Sequence, residues 1–328
     1  ATYNWLLRYF VDFNFGYNGS ENFATGHQFG FFPAYSFAWN IAEESIIKKN
    51  FKWINMFKVR FSHGKVGNDN LGDNRFPFLY TITDKIPDPN DKNKTIDRPG
   101  YNWGQYGSTN SFVGLSFSSV ASPYVTWEIA TKNDLGVDLS LFNERFLATV
   151  DYFNERRDGI YMERKYLPSM VGLGSNPSAN VGAVKSKGFD GNFTYKQSIG
   201  NVNLTVRGNI TYSKNEVLEK DEENKVYKYQ REEGYRVEQN KGLIALGLFK
   251  DYDDIRNSPT QTYGTYQPGD IKYKDVNGDG IVDDGDKVAI GSTTKPNLVY
   301  GLGASGSWKG LDLNIHFQGS GKSTYFIY

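Results

Sequence analysis

Large apolar residues recur at every second position through several long stretches of this chain. Across residues 5–17 they fall at Trp5, Leu7, Tyr9, Val11, Phe13, Phe15 and Tyr17, with Arg8, Asp12, Asn14 and Gly16 between them. Leu6 and Phe10 break the rule. The pattern returns through Phe29, Phe31, Pro33, Tyr35, Phe37, Trp39 and Ile41, then in 57–63, 202–207 and 311–317. Weaker copies cover 135–141, 146–152, 189–195 and 300–308. A period of two places alternate side chains on opposite faces of a strand, so each stretch predicts a strand with one apolar face. Roughly ten to twelve such strands are expected, several longer than the usual five or six residues. A strand tilted by about 40° needs about ten residues to cross a hydrocarbon layer. The expectation is therefore an all-β fold, an antiparallel transmembrane β-barrel with its apolar face to lipid. Trp5, Tyr17, Trp39 and Trp308 sit where interfacial girdles would form. A soluble β-sandwich shares the alternation but would bury the apolar face.

The connections come in two sizes. Asn143-Glu144, Gly200-Asn201 and Lys309-Gly310 predict short turns. Polar stretches at 84–111, 167–182 and 219–269 predict long loops. Loops beyond about 15 residues are uncommon in compact soluble domains. Short turns on one side and long loops on the other mark outer-membrane barrels. The whole of 1–328 is expected to be barrel wall with extracellular loops.

Composition narrows the choice. The chain has 328 residues, 37 basic against 37 acidic, and formal charge zero. No basic field points to nucleic acid. Cysteine is absent, which suits an oxidising compartment but is weak support. No run approaches the roughly 18 apolar residues of a membrane helix. No basic-then-apolar leader opens the chain, so the protein is either not exported or begins upstream of Ala1. The 23 Phe, 23 Tyr, 6 Trp and 35 Gly are unusual at negative mean hydropathy, and they fit many strands apolar on one face only.

Residues 275–286 read D-V-N-G-D-G-I-V-D-D-G-D, with oxygen-bearing side chains at Asp275, Asn277, Asp279, Asp283 and Asp286. Gly280 stands where such a loop turns sharply, and Ile281 can offer its carbonyl. These offsets predict a site for Ca2+. Asp286 in place of a bidentate glutamate shortens the reach and leaves Mg2+ as a second candidate. The competing reading is a solvated turn. A dockerin-like pair is excluded by the single loop and by Gly291 and Pro296 where its exiting helix would lie.

Gly319-Ser320-Gly321-Lys322-Ser323 resembles a phosphate loop, but His316 stands where the first glycine is required. His27, His63 and His316 are scattered, and the last two read as polar residues of strand walls. Asp253-Asp254 and Glu43-Glu44 read as solvated carboxylates, and no catalytic motif appears, so no enzyme is expected. The segment 98–112 mixes Tyr101, Trp103 and Tyr106 with amides. Those three are the candidate substrate contacts, by stacking and hydrogen bonding to a sugar, against a reading as simple packing.

With these motifs assembled, the chain resembles the SusC/RagA family of TonB-dependent outer-membrane transporters of Bacteroidetes. The resemblance rests on 17–23 (YNGSENF), 30–34 (GFFPA), 38–44 (AWNIAEE) and 57–69 (FKVRFSHGKVGND). It continues in 127–133 (WEIATKN), 268–275 (PGDIKYKD) and Gln318-Gly319. It implies a segment of a 22-stranded barrel in a Gram-negative outer membrane, without the plug, TonB box and C-terminal strands. It further implies uptake of an oligosaccharide or peptide substrate, a SusD-like surface lipoprotein as lid, and TonB acting through the missing N-terminal part. A passive porin and a secreted β-rich glycan-binding protein are the alternatives.

Overall fold

The computed structural model describes residues 1–88, 94–97, 113–165, 170 and 176–327. Ten strands form one antiparallel sheet in which every neighbour in sequence is a neighbour in space. They are β1 Thr2–Trp5, β2 Tyr9–Gly19, β3 Phe29–Asn40, β4 Ile54–Asn68 and β5 Glu128–Leu141. Then come β6 Phe146–Glu163, β7 Ser178–Ile199, β8 Val202–Glu219, β9 Leu298–Trp308 and β10 Leu311–Gly321. The sheet is open, with β1 and β10 at its edges. Among the described residues the other sheets are two-stranded and lie in the connections. No helix there is long and apolar enough to cross a membrane.

The register carries one parity across the whole sheet. Arg60 stands opposite Gly136, Gly136 opposite Asp151, Asp151 opposite Asp190 and Asp190 opposite Thr211, so these residues share one face. The other face carries Val11, Phe13, Phe37, Phe61, Leu135 and Tyr152 in neighbouring register, and all are exposed. Leu313 is 64 % and Phe317 70 % exposed. A soluble sandwich would cover that face. Its exposure along all ten strands is the signature of a wall that meets hydrocarbon.

Aromatic residues concentrate where the apolar face ends. At the short-turn end Trp5 stacks on Tyr9 and Tyr9 on Trp39, while Trp53 stacks on Phe142. Trp308 lies at the same end, beside the turn to β10. Tyr17 stacks on Phe29 at the long-loop end. The four residues expected in girdles occupy these positions.

The predicted turns are present. Phe142, Asn143 and Glu144 all have positive φ, as do Gly200, Lys309 and Gly310. One expected strand divides: 5–17 is the end of β1, a turn at Leu6–Arg8, and most of β2. Leu6 and Leu7 take φ of 55° and 57° there. Asn4 Oδ1 accepts the Leu7 N–H at 3.0 Å, and the Trp5 carbonyl accepts that of Arg8. These bonds hold a turn that leucine does not favour by itself.

The long connections also have different limits. They are 69–127, 164–177 and 220–297, so 178–182 belongs to β7 rather than to the 167–182 loop, and the loop expected to end at 269 runs on through 275–286. Residues 178–182 pair with the far end of β6 across a bulge at Gly159, φ 68°. The 41–53 connection is an exception on the short-turn side and holds a helix, Ser45–Asn50.

A small core closes the long-loop end. Phe23, Phe32, Leu71, Val125 and Trp127 are buried together, with Tyr161 against them. Gly67 makes room for it, since a Cβ there would lie 2.0 Å from Phe32 Cζ.

Candidate substrate-facing wall and metal loop

The polar parity of the strands gathers charge. Arg60 on β4 donates from Nε and Nη2 to Asp138 of β5 at 2.8 and 3.2 Å. Its Nη2 also donates to both oxygens of Asp151 on β6, at 2.8 and 3.1 Å. The glycine between them makes this reach possible, because a Cβ on Gly136 would lie 2.1 Å from Asp151 Oδ1 and 2.7 Å from Arg60 Cζ. Thr149 adds a hydroxyl to Asp138 at 3.2 Å. Further along the same face Arg157 pairs with Glu128 and Glu155, and Lys132 with Glu155. The result is a hydrophilic, hydrogen-bonding wall suited to polar solutes. Glu128, Lys132, Glu155 and Arg157 lie beyond the predicted segments, whereas Arg60, Asp138 and Asp151 are visible in the sequence as charges at the polar parity of predicted strands. The register that brings them together is not.

Of the histidines, His63 hydrogen-bonds Asn133 through Nδ1 at 2.7 Å on the apolar-parity face, and His316 stands opposite Gly303 on the polar one. The carboxylate pairs are engaged structurally. Glu44 accepts from Tyr9 Oη at 2.9 Å and Trp39 Nε1 at 3.2 Å, and these bonds, Tyr9 first, hold its carboxyl below the ordinary range. Asp254 accepts from Lys272 Nζ at 2.8 Å. Tyr101, Trp103 and Tyr106 lie outside the described residues.

The 275–286 loop is turned by its own carboxylates. Asp275 accepts the N–H groups of Gly278 and Gly280 at 2.6 and 2.8 Å. Asn277 Oδ1 accepts from Asp279 N, Asp279 Oδ1 from Ile281 N, and Asp283 Oδ1 from Gly285 N. Asp286 is fully buried and takes the N–H groups of Val276, Asn277 and Asp283. Among the described residues no three acidic or histidine side chains converge in a geometry that holds an ion. An incoming cation would therefore share oxygens already bonded to backbone, which the second lone pair of each oxygen permits. At the rim, burial and then the hydrogen bond to Asp284 push the Tyr263 hydroxyl up to about 12.

Comparison with known proteins agrees with this geometry. The family model described as TonB dependent receptor-like, beta-barrel, matches residues 3–321. TonB-dependent receptor P26 of Formosa agariphila is 27 % identical over 317 residues, covering 92 % of this chain and 29 % of its own length. TonB-dependent receptor SusC of Bacteroides thetaiotaomicron is 22 % identical, covering 97 % and 30 %. The structure of the RagAB peptide importer in its closed-closed state superimposes with a TM-score of 0.70 at 18 % identity, over 98 % of this chain and 32 % of that one. The chain thus spans under a third of the length of the curated relatives it matches. The expected SusC/RagA resemblance is borne out, and the family is one of receptors rather than enzymes. A two-faced antiparallel wall whose strands, turns and motifs match over residues 3–321 belongs to the TonB-dependent receptor β-barrel family of Gram-negative outer membranes.

Proposed function

We propose that this chain is part of the wall of an outer-membrane importer for oligosaccharides or peptides, driven through TonB and served by a SusD-like surface lipoprotein. The observation that carries the reading is the sheet's division into a face of exposed aromatic and aliphatic residues and a face centred on Arg60, Asp138 and Asp151. A channel lined this way replaces part of a solute's hydration with hydrogen bonds, and so suits cargo rich in hydroxyl, amide or charged groups. SusC and RagAB as relatives support the pairing with a lipoprotein. The 275–286 loop would hold Ca2+, or Mg2+, as a brace of an extracellular connection, and its support is the ligand spacing.

The test uses the full-length protein in its host. Uptake of labelled glycan or peptide pools should stop when the proton-motive force is collapsed, and a surface lipoprotein should co-purify with the barrel. Uptake that persists after collapse would favour a passive porin and defeat the proposal.

A further inference from the structure

Every charged residue on the lipid-facing parity of the sheet lies toward the long-loop end of β4 and β6–β8, and cations dominate. Tyr152, Phe189 and Tyr212 stand opposite one another as the last aromatic row of the apolar face on β6–β8. Two residues further along each strand the same parity carries Asn154, Lys187 and Lys214. The next row carries Arg156, Lys185 and Glu216, with Lys65 across Thr131 from Arg156.

Lys187 is thus directly opposite Lys214, and Arg156 directly opposite Lys185. Like charges facing each other across a ladder destabilise a sheet. Arg156 pairs with Asp158 at 2.8 Å, and Asp158 and Glu219 flank Ala183 in the row beyond. Lys185, Lys187 and Lys214 form no salt bridge among the described residues. Lys322 approaches the same place, its Nζ 5.0 Å from the centre of the Tyr212 ring.

We infer that Lys187 and Lys214, with Arg156, Lys185 and Lys322 around them, bind the phosphate of an outer-leaflet lipid headgroup. Three observations combine. The long-loop side of such a barrel is extracellular, so this row meets the outer leaflet. An aromatic row with cations just beyond it is the order expected from hydrocarbon to headgroup. The cations on this face outnumber its acids, Asp158, Glu216 and Glu219, and none of these stands between Lys187 and Lys214, where a phosphate would remove the repulsion. Acyl chains of the same lipid would run down over Tyr152, Phe189, Val150 and Phe193, all exposed on this face. The site does not depend on which solute is imported.

The full-length protein is purified in mild detergent and examined by native mass spectrometry with lipid A, either phosphorylated or enzymatically dephosphorylated. The unmutated protein should retain the phosphorylated form preferentially. Lys187→Gln with Lys214→Gln should weaken retention about 30-fold, from two lysines near an anionic headgroup. Lys58→Gln, on the opposite face over Phe10, should leave it unchanged. Equal retention by the double variant, equal retention of dephosphorylated lipid, or an equal loss in Lys58→Gln would each overturn the site.

Discussion

Gly136 offers the sharpest test of how the polar wall is built. Replacing glycine with alanine inside a strand is ordinarily neutral or favourable, because glycine loses the more conformational freedom, by about 0.5–1 kcal/mol. Here the sign should reverse. The added Cβ would sit 2.1 Å from Asp151 Oδ1 and 2.7 Å from Arg60 Cζ, so one side chain must swing away. The bonds lost are those from Arg60 Nη2 to Asp151, 2.8 and 3.1 Å long. Hydrogen bonds to charged partners contribute about 1.5–3 kcal/mol. Arg60 is a third exposed, at 33 %, so water recovers part of that, and a net cost of about 1–2 kcal/mol is expected. The full-length barrel is assayed in lipid vesicles by urea unfolding, read as the gel shift between folded and unfolded forms. Gly306→Ala is the control, since a Cβ there meets nothing within 4 Å, and it should stay within about 0.5 kcal/mol. In an Asp151→Ala background the cost of Gly136→Ala should largely vanish. If it is undiminished there, or if Gly306→Ala costs as much, the glycine does not act by admitting the ion pair.

Asn180 clamps the long-loop end, accepting from Thr126 N at 2.9 Å and donating to the carbonyls of Thr126 and Gly159 at 2.9 and 2.7 Å. Asn180→Ala should cost about 2 kcal/mol in the same unfolding assay, and Asn180→Asp, which sets a carboxylate against two carbonyls, at least as much; an unchanged midpoint for both would dismiss the clamp. Asp254 is held below its ordinary 3.8, first by the hydrogen bond from Lys272 and then by that from Lys250 N. Its stabilisation is present above 3.8 and lost as pH falls through the lower folded value, so across a titration downward from 3.8 hydrogen exchange over 250–273 should quicken relative to Lys272→Ala's own pH trend, and parallel trends would contradict this. For the proposed cation brace, Asp275→Ala with Asp279→Ala should loosen 270–290, and the unmutated loop should be cut faster by protease after chelation. Identical cutting with and without chelator removes the metal.

The reach of the sequence pattern has a physical limit that the structure makes plain. Alternation reported the strands wherever one face met hydrocarbon and the other water, as in β2, β3 and β10, because solvent contrast is what writes a period of two. It fell silent in the first half of β7, where 178–188 reads SANVGAVKSKG. That stretch is still strand, paired with β6 from Ser178 and with β8 from Ala183, but its outward residues are Lys185 and Lys187 rather than aromatics. A rise of about 3.3 Å per residue and a tilt near 40° carry about ten residues through the hydrocarbon, so the 22 residues of β7 must extend far beyond it. The pattern thus marks the bilayer's thickness more faithfully than the strand's length. The same logic explains the turn at Leu6 and Leu7, where Leu7 at the membrane edge continues the alternation while Asn4 bends the chain beneath it. The Arg60 network fails for a different reason. Each charge was at a legible parity, yet only the register across β4, β5 and β6, with a glycine between, turns three separate charges into one site. Where hydropathy stops alternating but pairing continues, the outward charges mark the height at which this wall leaves the hydrocarbon, and this is why the lysine pair on β7 and β8 is placed among headgroups.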